Sequence, residues 1–559
     1  MLFSVIKTGV FQDSVSLMLL TKKVSALPGV DRLSVMMGTP ANKEIFRNTN
    51  LSTPEVEAAR PSDLCVVIDA ADESVVKDVM EGIAAFLSDQ SVKRRGADYA
   101  QTKTLDGALV QLPDADIALI SVAGRYAARL AGQALDRGLN VLLFSDNVAL
   151  EDELHLKQKA HEKGLIVMGP DCGTSMVGGQ PLAFANVNRT GSIGLVGASG
   201  TGLQAVMAGI DYHDEGVSHA IGLGGRDLSA DIGGISALDA IDFLIRDPGT
   251  EVIVFISKPP AKEVRDRIVK ALDGQEKPAV AIFLGEEGGG QDGNITFAGT
   301  LDEAAKLAVL ALHDVRLAKA RASFSTTQNQ IRGLYCGGTL ASEASMLIGR
   351  GLGVPFTGSH DEGIMFEAQG STVIDLGDDA YTVGRAHPMI DPTLRGEMIV
   401  KAGEDPAVAV VLMDVVIGYG AHEDPAGQAA EMVEAARKAR KAEGEVVFVA
   451  YVCGAKDDPQ GLEAQRDKLH EAGIIIAESN REAVEYALSL TRAGASRTAK
   501  AANAAAGPKL LDHSPKIINL GLRSFADDIL KSGGEVVHVN WAPPAGGDEE
   551  LIAALDRLA

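Results

Sequence analysis

Ser192-Ile193-Gly194-Leu195-Val196-Gly197-Ala198-Ser199-Gly200-Thr201-Gly202-Leu203 decides the fold. An apolar run of strand type turns through glycines and hydroxyls into a helix-like stretch over 203–210. Such a turn presents free backbone N–H groups and the positive end of the helix dipole, an anion site whose usual guest is phosphate. The pattern recurs. Gly337-Gly338-Thr339 follows the apolar run 334–336 and opens onto 340–348, and Gly169-Pro170-Asp171-Cys172-Gly173-Thr174 follows 165–168. A single turn of this kind also reads as a plain helix cap. Three in one chain point to phosphate chemistry.

Around these turns the chain alternates short apolar runs with helical patterns, the signature of parallel α/β sheets. Residues 1–90 read as a βαβ module, with strands at 3–6, 33–37 and 63–69 and helices at 14–27 and 73–87. Residues 107–190 read as a CoA-binding-like Rossmann half, with strands at 117–122, 140–144 and 165–168. A flavodoxin-like unit follows at 191–325 and a third unit at 330–492. A small-residue linker over 493–513 leads to a βαβ-like tail, 515–559. The stretch 88–107, with Lys93-Arg94-Arg95, reads as a connector, and Gly285-Glu286-Glu287-Gly288-Gly289-Gly290 as a linker.

The length of 559 residues exceeds what one core holds, so three to five domains are expected. A formal charge of −24 argues against nucleic acid and anionic membranes as partners, yet leaves a small anion held by local N–H groups. The four cysteines are scattered and no signal-peptide or spanning segment is evident, so a cytoplasmic setting without disulfides or zinc is expected. No Walker A ending occurs.

Two charged loops carry further candidates. Gly222-Leu223-Gly224-Gly225-Arg226-Asp227 ends in an arginine able to fork onto phosphate or carboxylate, or to pair with Asp227 or Asp231. Asp375-Leu376-Gly377-Asp378-Asp379 and Arg385-Ala386-His387-Pro388 offer a carboxylate ligand in Arg385, a cation site in the aspartates, or a plain surface loop. Cys172 reads as a nucleophile or as a small buried thiol.

The order of units and turns resembles succinyl-CoA synthetase, its α-subunit domains fused to the last β-subunit domain. The stretch 113–176 resembles the CoA-binding half, which implies a nucleotide or CoA role for Ser121, Ser145, Gly169, Asp171 and Cys172. Ser199-Gly200-Thr201 and the Gly222 turn resemble the second α domain; Gly337-Gly338-Thr339, 414–420 and Gly454-Ala455-Lys456 resemble the β domain. In that family two facing helix N-termini cradle a phosphohistidine. Here the corresponding stretch reads Thr296-Phe297-Ala298-Gly299-Thr300, and phenylalanine carries no phosphoryl group. The glycine fingerprint at the start of the CoA domain is missing, as is an ATP-grasp segment.

Over nearly its full length the chain resembles the FdrA family, through Phe11-Gln12-Asp13-Ser14, Val35-Met36-Met37-Gly38-Thr39-Pro40, Tyr381-Thr382-Val383-Gly384-Arg385 and Asn519-Leu520-Gly521-Leu522-Arg523-Ser524. The resemblance implies one subunit of an oxamate carbamoyltransferase of allantoin catabolism. Such a subunit works in a hetero-oligomer with two proteins encoded beside it and converts oxalurate and phosphate to oxamate and carbamoyl phosphate. On that reading Ser199, Gly200, Thr201, Gly202, Gly337, Gly338 and Thr339 hold phosphate, and Arg226 or Arg385 meets the carboxylate. Neither metal nor cofactor is required. An acyl-CoA synthetase subunit that binds CoA, and a non-catalytic scaffold, are the alternatives.

Overall fold

The computed structural model describes residues 1–8, 10, 14–61, 63–95, 99–356, 362–491 and 509–547. The chain divides into two compact units, one built from 1–208, 217–304 and 504–559, the other from 209–216 and 305–503.

The first unit begins with β1 (Leu2–Lys7), α1 (Ser14–Val24), β2 (Val30–Met37), α2 (Pro40–Asn48), α3 (Pro54–Ala58), β3 (Leu64–Ala70) and α4 (Glu73–Arg95). Its sheet runs β1-β3-β2, with β3 antiparallel to both neighbours. Alternation along β3 sends Val66 and Ile68 to the face under α1 and α4, and Cys65 and Val67 to the face under α2 and α3. Two Thr-Pro pairs start the short helices, Thr39 and Thr53 capping and the prolines entering the first turn. Helix α4 extends to Arg95, so most of the expected connector at 88–107 is helix or strand; 96–98 lie outside the described residues.

Next come β4 (Gln101–Thr102), α5 (Leu105–Gln111), β5 (Ile117–Ile120), α6 (Gly124–Asp136), β6 (Asn140–Leu143), α7 (Leu150–Glu162) and β7 (Val167–Met168). A second sheet draws on β8 (Thr174–Val177), β9 (Gln180–Ala183), β10 (Thr190–Gly197), α8 (Gly200–Tyr212), β11 (Val217–Gly222), α9 (Ile235–Arg246), β12 (Val252–Ser257), α10 (Lys262–Leu272), β13 (Ala279–Phe283), β14 (Gln291–Asp292) and β15 (Ile295–Phe297). Its parallel centre runs β11-β10-β12-β13-β15, the flavodoxin-like order. The glycine stretch expected as a linker is a clasp instead: Gly289 N–H donates to the Phe297 carbonyl and Phe297 N–H to that of Gly290, each at 2.8 Å. Gly288 lies so close to Gly299 that a side chain there would meet the Gly299 nitrogen at 2.1 Å.

The second unit holds most of α11 (Leu301–Ser323), then β16 (Gln330–Tyr335), α12 (Gly338–Leu352), β17 (Ile364–Ala368), β18 (Ser371–Asp375), α13 (Asp379–Thr382), α14 (Thr393–Glu404), β19 (Val408–Val416), α15 (Pro425–Ala439), β20 (Val447–Cys453), α16 (Leu462–Glu471), β21 (Ile475–Ala477) and α17 (Asn480–Thr491). The sheet runs β17-β18-β16-β19-β20-β21, parallel except for β17.

The tail supplies β22 (Ile517–Leu520), α18 (Arg523–Lys531) and β23 (Val536–Val539). It is not a separate layer. Ile517–Leu520 pairs in parallel with Ile117–Ile120, and β23 lies between β22 and β4, giving the six-stranded order β4-β23-β22-β5-β6-β7. Counting the tail strands first, this is the 3-2-1-4-5-6 order of a complete Rossmann sheet. The domain is circularly permuted: its first βαβ unit is the last segment of the chain. Phe525 on α18 packs its ring 4.9 Å from Phe144 and 5.9 Å from Phe184, inside a core shared by the Rossmann and flavodoxin-like sheets.

A buried ionic cluster joins the same two sheets. Lys157 on α7 forms an ion pair with Glu153 at 2.9 Å and donates to Asp227 at 2.7 Å, all three side chains fully buried. Asp227 also accepts the N–H groups of Ser236 and Ala237 and so caps α9.

Two outcomes are expected. Lys157→Met leaves the buried Asp227 carboxylate without its cation and lowers stability by about 3–5 kcal/mol in chemical denaturation. A chain ending at Thr491 lacks the two central strands of its Rossmann sheet and precipitates on expression, and co-expression of 509–559 as a separate polypeptide restores a soluble complex.

Candidate functional site

Open α/β sheets bind ligands outside the carboxyl ends of their strands, where the strand order reverses. This chain has three such points, at β22/β5, β10/β12 and β16/β19. A glycine turn stands at each.

At β10/β12, Gly197 leads into α8. Ser199 Oγ accepts the Gly202 N–H at 3.2 Å and serves as a helix cap, while Thr201 is exposed. Ala198 N–H donates to the Ile256 carbonyl at 3.1 Å, which brings the end of β12 alongside; two residues on, Lys258 is exposed and makes no ion pair among the described residues. Lys258 is silent in the sequence, since a lysine before two prolines carries no motif.

The stretch around Phe297 is half-buried and runs into a capped helix start. Thr300 Oγ1 accepts the Glu303 N–H at 3.1 Å and the Glu303 carboxylate accepts that of Gly299 at 2.7 Å, a reciprocal capping box on α11. The Arg265 guanidinium lies 5.9 Å from the Phe297 ring and is paired with Glu286.

At β16/β19 the turn before α12 already holds an anion of its own. The Asp414 carboxylate on β19, fully buried, accepts the N–H groups of Cys336 at 2.7 Å and Gly337 at 2.8 Å. Burial pushes its carboxyl above the usual range, against the pull of Arg395 and these N–H groups. Arg395, 2% exposed, donates Nη1 to the Asp414 carbonyl at 2.6 Å. Of the expected phosphate ligands here, Gly337 therefore spends its N–H internally, and the first-turn N–H groups of Gly338 and Thr339 remain. Asp414 opens the stretch 414–420 that resembles the β domain, but its contacts with the turn and with Arg395 are not local, and only the fold brings both side chains under the turn. Arg385 is exposed, without an ion pair among the described residues.

At β22/β5 the turn is Gly521, at φ +123°, where a side chain would meet Ser121 Oγ at 2.5 Å. Ser121 Oγ accepts the Leu522 N–H at 2.7 Å, stitching the tail to the turn after β5. Neither α6 nor α18 carries a side-chain cap. The glycine missing from the start of the Rossmann half is thus found at 521, far along the sequence.

The other candidates make contacts within the fold. Arg226 pairs with Glu153 at 2.8 Å and donates to the Val148 carbonyl at 2.9 Å, so its partner is neither Asp227 nor Asp231. Ser145 Oγ donates to the Val122 carbonyl at 2.6 Å. Gly169, where a side chain would meet the Leu143 carbonyl at 2.2 Å, and Asp171, at φ +57°, shape a turn that leads into strand β8 rather than a helix. Cys172 is 2% exposed, its thiol pushed up by burial and 3.6 Å from Ser175 Oγ.

Three family profiles match in series: "AllF, heavy metal-associated domain" over residues 1–104, "CoA binding domain" over 188–285, and "CoA-ligase" over 334–490. The second falls on the flavodoxin-like sheet, downstream of most of the 107–190 stretch. Residues 1–104 contain no histidine and one cysteine, Cys65. That thiol is fully buried in β3 and pushed up to about 11 by burial. These residues do not fit a heavy-metal site, and no group of three potential ligands occurs among the described residues. No described helix is long and apolar enough to cross a membrane. The subunit alpha-2 of a mitochondrial ADP-forming succinate–CoA ligase from Trichomonas vaginalis is 27% identical over 185 residues, 32% of this chain and 59% of that subunit. The dinucleotide-forming acetyl-coenzyme A synthetase 1 of Ca. Korarchaeum cryptofilum, solved with phosphate and ADP, aligns over 67% of this chain and 82% of its own at 15% identity and a TM-score of 0.44. The uncharacterized protein YahF of Escherichia coli K12 is 41% identical over 495 residues, 85% of this chain and 96% of YahF. On that breadth of identity the chain belongs to the FdrA-like family of YahF, in which an AllF-type amino-terminal domain precedes CoA-binding and CoA-ligase domains like those of succinyl-CoA synthetase.

Proposed function

We propose that the chain is the phosphate-handling subunit of an oxamate carbamoyltransferase of allantoin catabolism, acting with two further proteins. The observation that carries the reading is the contrast between two helix starts in one α/β scaffold. The α8 turn carries the exposed Thr201 hydroxyl with the exposed Lys258 on the neighbouring loop, whereas the stretch in the phosphohistidine position presents Phe297, whose ring has no atom to accept a phosphoryl group. A scaffold that makes acyl phosphates, deprived of its histidine relay, retains a place for free phosphate. A phosphate oxygen attacks the terminal carbamoyl carbon of oxalurate, the C–N bond to the oxamate nitrogen breaks, and that nitrogen takes up a proton. The products are oxamate and carbamoyl phosphate, itself an acyl phosphate. N–H groups at the α8 turn stabilise the charge that develops on phosphate and on the tetrahedral intermediate.

A second reading, a CoA-binding acyl-CoA synthetase subunit, draws on the β22/β5 point. Gly521, Ser121 and the uncapped starts of α6 and α18 fit a diphosphate, and the rings of Tyr126, in the first turn of α6, and Trp541, just after β23, lie 5.3 Å apart. On that reading these residues hold CoA, which supplies the acyl-accepting thiol.

Ser199→Ala with Thr201→Ala is expected to lower phosphate-dependent oxalurate cleavage by the reconstituted three-protein complex about 10²-fold; unchanged turnover removes the phosphate assignment. Isothermal titration of the purified chain with CoA separates the readings: micromolar binding abolished by Gly521→Val favours the synthetase, and no heat favours the transferase.

A further inference from the structure

The amino-terminal sheet leaves one of its edges bare. Strands β1, β2 and β3 follow the first part of a β-α-β-β-α-β arrangement, with β1 and β2 parallel and β3 between them. Continued in the same way, the strand after α4 would lie parallel to β3 on the far side of β1. Instead that strand, β4, pairs with β23 in the Rossmann sheet. The two remaining edges differ. β2 carries the exposed Asp31 and Arg32 and an irregular register between Val30 and Arg32, features that keep an edge from pairing. β1, Leu2-Phe3-Ser4-Val5-Ile6-Lys7, keeps an unbroken register on β3, has no proline and carries a charge only at its last residue. Met1 and Ala70 exchange both main-chain bonds, at 2.8 and 3.1 Å, so alternation turns the N–H and C=O groups of Leu2, Ser4 and Ile6 away from β3. None of these main-chain groups has a hydrogen-bond partner among the described residues.

An apolar edge of this kind takes another strand, and β1 is complementary to itself. About a two-fold axis through Ser4, perpendicular to the sheet, Leu2 of each chain stands opposite Ile6 of the other, and Phe3 opposite Val5. This register meets two independent conditions. The outward N–H and C=O groups of Leu2, Ser4 and Ile6 face one another, and opposed side chains share a face: Phe3 and Val5 under α1 and α4, Ile6 under α2 and α3. A slip of one residue breaks both. Charge also favours a second copy over a charged partner. Residues 1–104 hold twelve Lys and Arg against thirteen Asp and Glu, a balance of −1, while the whole chain carries −24. Glu55, which accepts the Ser4 hydroxyl at 2.9 Å, is exposed, so salt screens its repulsion by its counterpart. We propose that β1 pairs antiparallel with β1 of a second copy of this chain, giving a continuous sheet β2-β3-β1-β1-β3-β2 and a two-fold dimer. The dimer is independent of the carbamoyl-transfer reading.

Sedimentation of the full chain, carrying no amino-terminal tag and at about 150 mM salt, is expected to give twice the mass of one chain. Ser4→Pro removes an N–H that β3 does not use and leaves the opposed carbonyl of the second copy without a donor. It raises the dissociation constant of the dimer about 100-fold and leaves the circular dichroism of wild type. A crosslink reads the same pairing without depending on how well that variant folds. Cys453 is the one cysteine that is not buried, so Cys453→Ser gives a quiet background. In it, Ser4→Cys is joined to Ser4→Cys of the second copy by a short bismaleimide, because residue 4 faces itself across the axis, whereas Asp31→Cys on the other edge is not. A monomeric wild-type chain overturns the proposal. So does a dimer that persists in folded Ser4→Pro, or crosslinking through position 31 as efficient as through position 4. A chain that stays monomeric alone and pairs through β1 only with a different protein overturns it as well.

Discussion

The structure depends on one pairing, the parallel ladder between Ile517–Leu520 and Ile117–Ile120. Without it the Rossmann sheet is two fragments, β5-β6-β7 on one side and the two-residue strand β4 on the other. With it, β22 and β23 fill the centre, Phe525 reaches the aromatic cluster at Phe144, and Ser121 closes on Leu522. Hydrophobic contact provides much of the driving force, since Ile117, Leu119, Ile517 and Phe525 belong to one buried cluster that also contains Val196 and Phe255 of the neighbouring sheet.

The three switch points differ in how far the protein has filled them. At β10/β12 a threonine hydroxyl and a lysine stand exposed around a helix start. At β16/β19 an internal carboxylate occupies the N–H pair that such a turn would offer a ligand, and Arg395 balances it. A buried carboxylate in that position supplies the negative charge a helix N-terminus attracts, without release or exchange.

Much of this is legible in the sequence. Apolar runs of parallel-strand type locate the central strands of the second and third sheets, and the glycine-hydroxyl turns mark two of the three switch points, because both signals are local. The Rossmann sheet escapes such a reading for the opposite reason. Ile517–Leu520 and Val536–Val539 carry the pattern of strands, yet their partners lie hundreds of residues away, and no periodicity reports a pairing of that range. The partner of Arg226 escapes the sequence in the same way, because Glu153 lies on a helix more than seventy residues earlier. Cys65 and Asp414 take their meaning from neighbours on other strands and helices.

The permuted connection also has a temporal side. On the ribosome, Ile120 emerges 397 residues before Ile517 (517 minus 120), about 20–80 s at synthesis rates of roughly 5–20 residues per second. During that interval β5 presents an unpaired apolar edge, and the sheet waits with a gap at its centre. The Rossmann crevice is therefore the last part of the protein to come into being, after the flavodoxin-like sheet and the carboxyl-terminal unit have been made. A nascent chain of this design depends on whatever shields β5 in the meantime, and a stop codon between Thr491 and Ile517 yields a product with two finished switch points and one that never forms.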